Sequence, residues 1–218
     1  MTNFSDGKSQ LLDGVEYTYY SDWINNFESK EHWSLYWEQI NLVLKELKKG
    51  DTLLEIGPGT GFLSNYLRSK GYQVTTLDID KQKSPDIQCN IVEYSFPDQY
   101  DHIIAFEVFE HIPYDKFTEV LPKLRKSARK NLFFSLPRNY KVWFSIDLII
   151  TYIRNVSFTF KTKRRKITTI THFWELDYKD FTLKNLAVLT KDAGFLTTKI
   201  VKESQAVFFQ LKPDSQKL

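Results

Sequence analysis

The hydrophobic pattern of this chain changes character near residue 50. Before it, a polar start passes into an aromatic stretch (Tyr17, Tyr19, Tyr20, Trp23, Phe27, Trp33, Tyr36, Trp37) and then into INLVLKELKKG, whose helical spacing stops at Gly50. Residues 1–50 therefore read as an aromatic-rich helical arm. From Thr52 onward short apolar runs alternate with amphipathic stretches, the signature of βα units around a mainly parallel sheet. The predicted class is a Rossmann-like α/β fold with helices on both faces of the sheet. TLLEI (52–56) is the first strand, and the helix after it carries Phe62, Leu63, Tyr66 and Leu67 on one face and ends at Gly71. YQVTTLD (72–78), a brief strand near Ile87 to Cys89, and YDHIIAF (100–106) follow, the last apolar enough to be covered on both sides.

A helix opening at Pro113 presents Phe117, Val120, Leu121 and Leu124, while Pro122 inside it predicts a kink or an early end. NLFFSL (131–136) is a fifth strand, stopped by Pro137. After an irregular stretch, a last helix begins at Thr182 as N-cap, with Phe181 and Leu186 as staple partners and Gly194 as its stop. FLTTKIV and QAVFFQL close the chain, and the turn between them, Lys202 to Ser204, is so short that they pair antiparallel. Residues 51–218 thus form one α/β domain with an insertion at about 138–177.

Gly57-Pro58-Gly59-Thr60-Gly61 joins the first strand to its helix, where free amide donors meet a ligand and Cβ atoms would block its approach. A dinucleotide site wants a third glycine three residues after the second, but Phe62 stands there, and no Gly-Lys-Ser/Thr follows to make a phosphate loop. The spacing argues against NAD and leaves a nicotinamide oxidoreductase as a weaker reading. Glu55 precedes the loop, and Asp78 at the tip of the second strand is placed to accept from two vicinal ribose hydroxyls.

LLEIGPGTG followed by LDID resembles the first two motifs of class I S-adenosylmethionine-dependent methyltransferases. FEVFEHI (106–112), NLFFSLP and HFWELDYKDFTLKNLAVLTKDAGF resemble later segments of that family, so the likeness covers residues 52–211. It implies a seven-stranded sheet of order 3-2-1-4-5-7-6 with the seventh strand antiparallel. Residue by residue, it implies that Glu55, Gly57, Gly59 and Gly61 line the methionine and ribose, that Asp78 holds the ribose hydroxyls, and that Ile79 covers the adenine. Asn90 stands where the family often has an Asp toward the adenine amino group, and Glu107 would face the methyl-transfer cleft. Residues 51–218 become the methyltransferase domain, and the insertion a substrate lid. A binding protein that senses S-adenosylmethionine without catalysis is the alternative.

The acceptor side is less explicit. His172 faces the expected acceptor site as a candidate general base, and His111 is a second candidate, although a cap on the following turn explains it better than catalysis does. Asp80 reads as a solvated helix-start acid. Methylases of exocyclic amines in nucleic acids resemble one another in an Asn/Asp-Pro-Pro-aromatic motif where this chain has Phe106-Glu107-Val108-Phe109, so the expected acceptor is a small molecule and nucleic acid is disfavoured.

Composition changes this picture at four points. Hydrophobic residues at 42% and charged residues at 26% are ordinary for a globular domain, but aromatics reach 16%, and Trp143, Phe144, Tyr152, Phe158, Phe160, Phe173 and Trp174 crowd the insertion. They suit a lid over an apolar or ring-shaped acceptor. Lys plus Arg exceeds Asp plus Glu only by 30 to 27, too little to indicate nucleic acid, yet KTKRRK (161–166) beside VWFSIDLIITYI (142–153) suits a phosphorylated acceptor or peripheral contact with an anionic membrane. The lone Cys89 excludes an internal disulfide and any multi-cysteine metal site, so no metal is expected. No run of 18 apolar residues and no signal-like start occurs, which places the expected location in the cytoplasm.

Overall fold

A computed structural model describes residues 7–20, 29–150, 153–164, 166–167, 169–203 and 205–216. Trp23, Phe27, Tyr152, Arg165 and Ser204 lie outside them. The elements in order are β1 (Gly7–Leu12), β2 (Val15–Tyr20), α1 (Lys30–Leu44), β3 (Thr52–Ile56), α2 (Phe62–Ser69), β4 (Gln73–Asp78), β5 (Ile87–Gln88), β6 (Tyr100–Phe106), α3 (Tyr114–Ser127), β7 (Ala128–Pro137), β8 (Tyr140–Ile150), β9 (Ile153–Lys163), α4 (Leu183–Asp192), β10 (Phe195–Lys202) and β11 (Ala206–Pro213).

The central sheet runs β10-β11-β7-β6-β3-β4-β5. Its first five strands in sequence pair parallel, β11 pairs antiparallel with β7, and β10 with β11. Numbered in chain order, that is the expected 3-2-1-4-5-7-6 with the last strand reversed. Successive residues of a strand face opposite sides, so each strand feeds two cores. Leu54, Ile103, Phe134 and Phe209 pack with Phe117, Val120, Leu121 and Leu124 of α3 and Leu186 of α4. Leu53, Ile104, Phe133 and Phe208 pack on the other side with Leu42 and Val43 of α1 and Leu63 and Leu67 of α2. Burial of each such side chain contributes about 1.5–3 kcal/mol, which is why continuous apolar runs specify these strands.

At the amino-terminal end of the parallel strands a polar chain crosses the sheet. His102 Nε2 meets Asp51 Oδ2 at 2.9 Å, Asn131 Nδ2 meets His102 Nδ1 at 3.1 Å, and Gln210 Nε2 donates to Asn131 Oδ1 at 2.9 Å. All four residues are buried and each satisfies its neighbour. This end is therefore sealed, and ligands are left the opposite end, where β3, β4 and β6 give way to loops.

Three expectations about local structure are corrected. The N-terminal arm is not helical at its start: residues 7–20 form an antiparallel hairpin, β1 to β2, turning at Asp13 and Gly14 with φ of 50° and 76°. Both central residues at positive φ make the primed turn that an Asp-Gly pair favours between strands. Pro122 does not end α3, which continues to Ser127. It is exposed, outside the buried stripe of Phe117, Val120, Leu121 and Leu124. The irregular stretch is instead largely a second antiparallel hairpin, β8 with β9.

Candidate functional site

The loop after β3 is shaped by backbone conformation. Gly57, Gly59 and Gly61 have φ of 67°, 58° and 75°, a region that costs other residues about 1–2 kcal/mol each. A Cβ on Gly57 would lie 2.6 Å from Val108 Cγ2, and one on Gly61 3.1 Å from Asn65 Nδ2. The first contact also fixes the layout, since it sets the loop directly against the turn that follows β6. Gly61 caps α2, and α1 closes over the loop from outside, with Tyr36 Oη 3.2 Å from Thr60 Oγ1 and the Tyr36 ring 4.7 Å from that of Phe62.

Glu55 is buried on β3 and one of its oxygens has no hydrogen-bond partner. Burial pushes its carboxyl up to about 7 despite a hydrogen bond from Ser64. At the tip of β4, Asp78 accepts the Asp80 amide at 2.7 Å and is likewise pushed up by burial, to about 6. Asp80 was expected in solvent but is buried, because its side chain caps the short turn Lys81–Lys83 by accepting from Gln82 N at 3.0 Å. A cavity of about 330 Å³ opens beside Asp78, lined by Ile79, Cys89 and Asn90 and roofed by Ser9, Gln10 and Tyr19 of the N-terminal hairpin. Asn90 Oδ1 accepts from Val92 N at 3.1 Å and its amide donates to Gln10 at 3.3 Å, so one oxygen lone pair stays available on the cavity wall. The roof residues were not legible as part of a site, since nothing in their spacing links them to the β4 tip.

The turn after β6 carries most of the remaining chemistry. Glu107 is held at φ 54°, its amide donating to Ser135 Oγ at 3.0 Å while its carboxylate accepts from the same hydroxyl at 2.7 Å. Desolvation raises its carboxyl pKa, with the Glu175 carboxylate adding to the rise. Glu110 and His111 sit on a single 3-10 turn, Phe109–His111. Glu110 is fully buried, neither of its oxygens has a hydrogen-bond partner, and burial followed by the Glu107 charge drives its pKa far upward.

The segment between β9 and α4 meets this turn. Phe173 N donates to Glu110 O at 2.8 Å, and the rings of His111 and His172 stand edge to face at 4.8 Å. His111 Nδ1 lies 3.2 Å from Thr171 O, and His172 Nδ1 lies 2.8 Å from Glu175 Oε1. Since a carbonyl and a carboxylate only accept, Nδ1 donates in each histidine and Nε2 is the ring atom left to another partner. Burial and the neighbouring His172 depress the His111 pKa to about 3. The two histidines singled out in the sequence are thus brought together, where the segment after β9 meets the turn that carries Glu107. Glu110 and Glu175 went unnoticed, although Glu-x-x-Glu-His and His-x-x-Glu place acids at the three-residue spacing that brings side chains onto one face of a turn.

The aromatics of the insertion divide. Trp174 is core, stacked on Phe117 at 5.3 Å with its indole donating to Ile112 O at 3.0 Å. Phe144, Ile146, Phe158 and Phe160 occupy paired positions on one face of the β8–β9 hairpin and are 47–60% exposed. Among the described residues no helix is long and apolar enough to cross a membrane.

Comparison with known proteins agrees with this geometry. A family model described as a methyltransferase domain matches residues 29–199. A ubiquinone biosynthesis O-methyltransferase of Idiomarina loihiensis is 30% identical over 111 residues, 43% of this chain and 46% of that protein. A ribosomal RNA small subunit methyltransferase A of Mesomycoplasma hyopneumoniae is 26% identical over 165 residues, 75% of this chain and 60% of its own length. The chain spans about half the length of the ubiquinone-biosynthesis relatives it matches. The N-methyltransferase NodS from Bradyrhizobium japonicum WM9, solved with S-adenosyl-l-homocysteine, shares the fold with a TM-score of 0.57 at 12% identity, over 88% of this chain and 92% of that one.

Proposed function

The chain belongs to the methyltransferase-domain family, and on that premise we propose that it methylates an oxygen of a small-molecule acceptor held beside Glu107, Glu110, His111 and His172. S-adenosylmethionine is the methyl donor. When bound, it supplies a methyl group on a sulfonium sulfur, already activated for in-line displacement. The residues present fit that group on two observations: Glu55 offers a buried oxygen without a partner, and Gly57 leaves room that a side chain would fill. In this reading Glu55, Gly57, Gly59 and Gly61 line the methionine and ribose, Asp78 accepts from the ribose hydroxyls, and Ile79 and Asn90 border the adenine in the cavity under the N-terminal hairpin. Glu107 stands between this cradle and the acceptor.

The observation that carries the acceptor assignment is the pair of histidine Nε2 atoms, left to another partner, facing a buried carboxylate next to the glycine loop. A hydroxyl is a weak nucleophile until its proton is drawn away, and this cluster is built to do that. A neutral amine would need no such apparatus. Nucleic acid fits poorly, because the Phe106-Glu107-Val108-Phe109 stretch lacks the Pro-Pro-aromatic platform of amine methylases. The insertion at about 138–177, which holds the β8–β9 hairpin, is the lid of this reading. Its exposed face of Phe144, Ile146, Phe158 and Phe160 beside the basic run favours a second role, contact with an anionic membrane surface that delivers an apolar acceptor.

The test is tritiated S-adenosylmethionine with the full chain and, in separate reactions, a panel of phenols and catechols, a panel of amines, and total RNA. Label in hydroxyl-bearing small molecules is expected. Label confined to amines or RNA overturns the acceptor assignment.

A further inference from the structure

We propose that Glu110, His111 and His172 bind a divalent transition-metal ion, and that this ion holds the acceptor hydroxyl. The ligand atoms of Glu110, His111 and His172 all lie within 4.8 Å of one another. They come from two segments far apart in sequence, clasped by the Phe173 amide on the Glu110 carbonyl and by His111 Nδ1 on Thr171 O. Both histidines are oriented as metal ligands are, with Nδ1–H spent on a carbonyl or carboxylate and Nε2 left to another partner; Glu175, itself held by the Asn139 amide, positions His172 in this way.

Glu110 supplies the independent observation. A carboxylate with no exposure and no partner on either oxygen is costly to keep, and a cation between it and the imidazoles removes that cost. A His172–Glu175 base would explain His172 alone and leave His111 Nε2 and both Glu110 oxygens idle. Two imidazoles with one carboxylate suit Mn²⁺, Fe²⁺, Co²⁺ or Zn²⁺ rather than a thiolate-loving ion, and so few protein donors leave coordination positions open.

The role of the ion in activating the acceptor rests on the proposed oxygen methylation; its binding does not. Bound to the ion, the hydroxyl becomes more acidic and loses its proton to solvent water. The oxygen lone pair then forms the new O–CH₃ bond, and the S–CH₃ electron pair stays on sulfur.

The full chain, stripped with EDTA and dialysed, is titrated with Co²⁺ by visible absorption and with Mn²⁺ and Zn²⁺ by calorimetry, and its thermal midpoint is read with and without each ion. One ion per chain is expected, with a raised midpoint. Glu110→Gln and His172→Asn should each weaken binding at least about tenfold and abolish the ion-dependent rise, while His32→Gln leaves both unchanged. Ion-free Glu110→Gln is expected to keep the fold of the ion-free parent, since the amide has the shape of the carboxyl it replaces. Should that variant not fold, His172→Asn carries the comparison. The site is overturned if none of the three ions binds more tightly than about 1 mM, or if both variants bind as the parent does. If an ion binds but does not accelerate methyl transfer to hydroxyl acceptors, the site stands and its role in activation falls.

Discussion

Asp78→Asn separates what the β4 tip does for the cofactor from what it costs the fold. The Asp78 carboxyl is pushed up to about 6, chiefly by burial, from an ordinary value of 3.8. Keeping it ionised at neutral pH therefore costs the ligand-free protein up to about 3 kcal/mol. That cost is absent below pH 4, grows as pH rises toward 6, and is complete above it. Asparagine removes it, so the ligand-free thermal midpoint at pH 8 should rise by about 2–10 °C. Cofactor affinity should move the other way. One carboxylate oxygen is spent on the Asp80 amide, and the other is the charged acceptor a ribose hydroxyl would lose. A charge-assisted hydrogen bond is worth about 1.5–3 kcal/mol, or about 10- to 150-fold in Kd. In the parent, affinity should fall about tenfold between pH 8 and pH 5, as about nine in ten Asp78 carboxyls become protonated. Glu55, near 7, titrates in the same window, so the Asp78 contribution is the difference between parent and variant slopes. Calorimetry with S-adenosylhomocysteine from pH 5 to 8, beside scanning fluorimetry, reads both effects. Unchanged affinity at pH 8 refutes the ribose assignment, and a lowered midpoint refutes the argument from burial.

Gly57→Ala combines positive-φ strain with a Cβ 2.6 Å from Val108 Cγ2, so a loss of about 2–5 kcal/mol and of S-adenosylhomocysteine binding is expected; adding Val108→Ala should recover the steric part and not the φ part, as urea midpoints and calorimetry will show. Asn131→Leu leaves His102 Nδ1 and Gln210 Nε2 unpaired in the core and should cost about 2–4 kcal/mol by urea denaturation, while Kd for S-adenosylhomocysteine, bound at the other end of the sheet, stays the same. Phe144→Ser with Phe158→Ser, and separately Lys163→Glu with Arg164→Glu, should each abolish co-sedimentation with phosphatidylserine vesicles; retention in both removes the membrane reading.

The parallel sheet was legible because it is buried on both faces. A strand such as YDHIIAF cannot lie elsewhere than in a doubly covered position, and a three-residue turn between the last two strands forces their antiparallel pairing. The second hairpin was missed although its sequence carries a period of two. Phe144 and Ile146 alternate with Ser145 and Asp147, and Phe158 and Phe160 with Ser157 and Thr159, but these apolar residues pair across β8 and β9 and largely face solvent, so the alternation does not match a buried strand. At the N-terminus the Asp13-Gly14 pair did carry a hairpin signal, and the aromatics around it drew the eye to helix instead. Pro122 shows the same limit from another side: its cost depends on which way one carbonyl faces, and sequence does not say.

The candidate site divides along the same physical line. The proposed donor end can be read from sequence because its requirements fall on contiguous backbone: glycines where the chain must turn through positive φ and let a ligand approach, then an acid at the next strand tip. The proposed acceptor end is assembled from side chains about 60 residues apart, and its decisive features are relations that no single segment contains. His111 looked like a turn cap because its partner, the Thr171 carbonyl, belongs to another segment; Glu110 drew no reading because nothing in FEVFEHI tells which glutamate is buried. Spacing alone would have admitted both readings of each residue. What decides between them is that Glu110 is fully buried with no protein donor on either oxygen, while His111 and His172 bring their ring nitrogens within 4.8 Å of it; a fold that buries an unpartnered carboxyl must gain elsewhere, and the proposed acceptor chemistry is where that gain is to be sought.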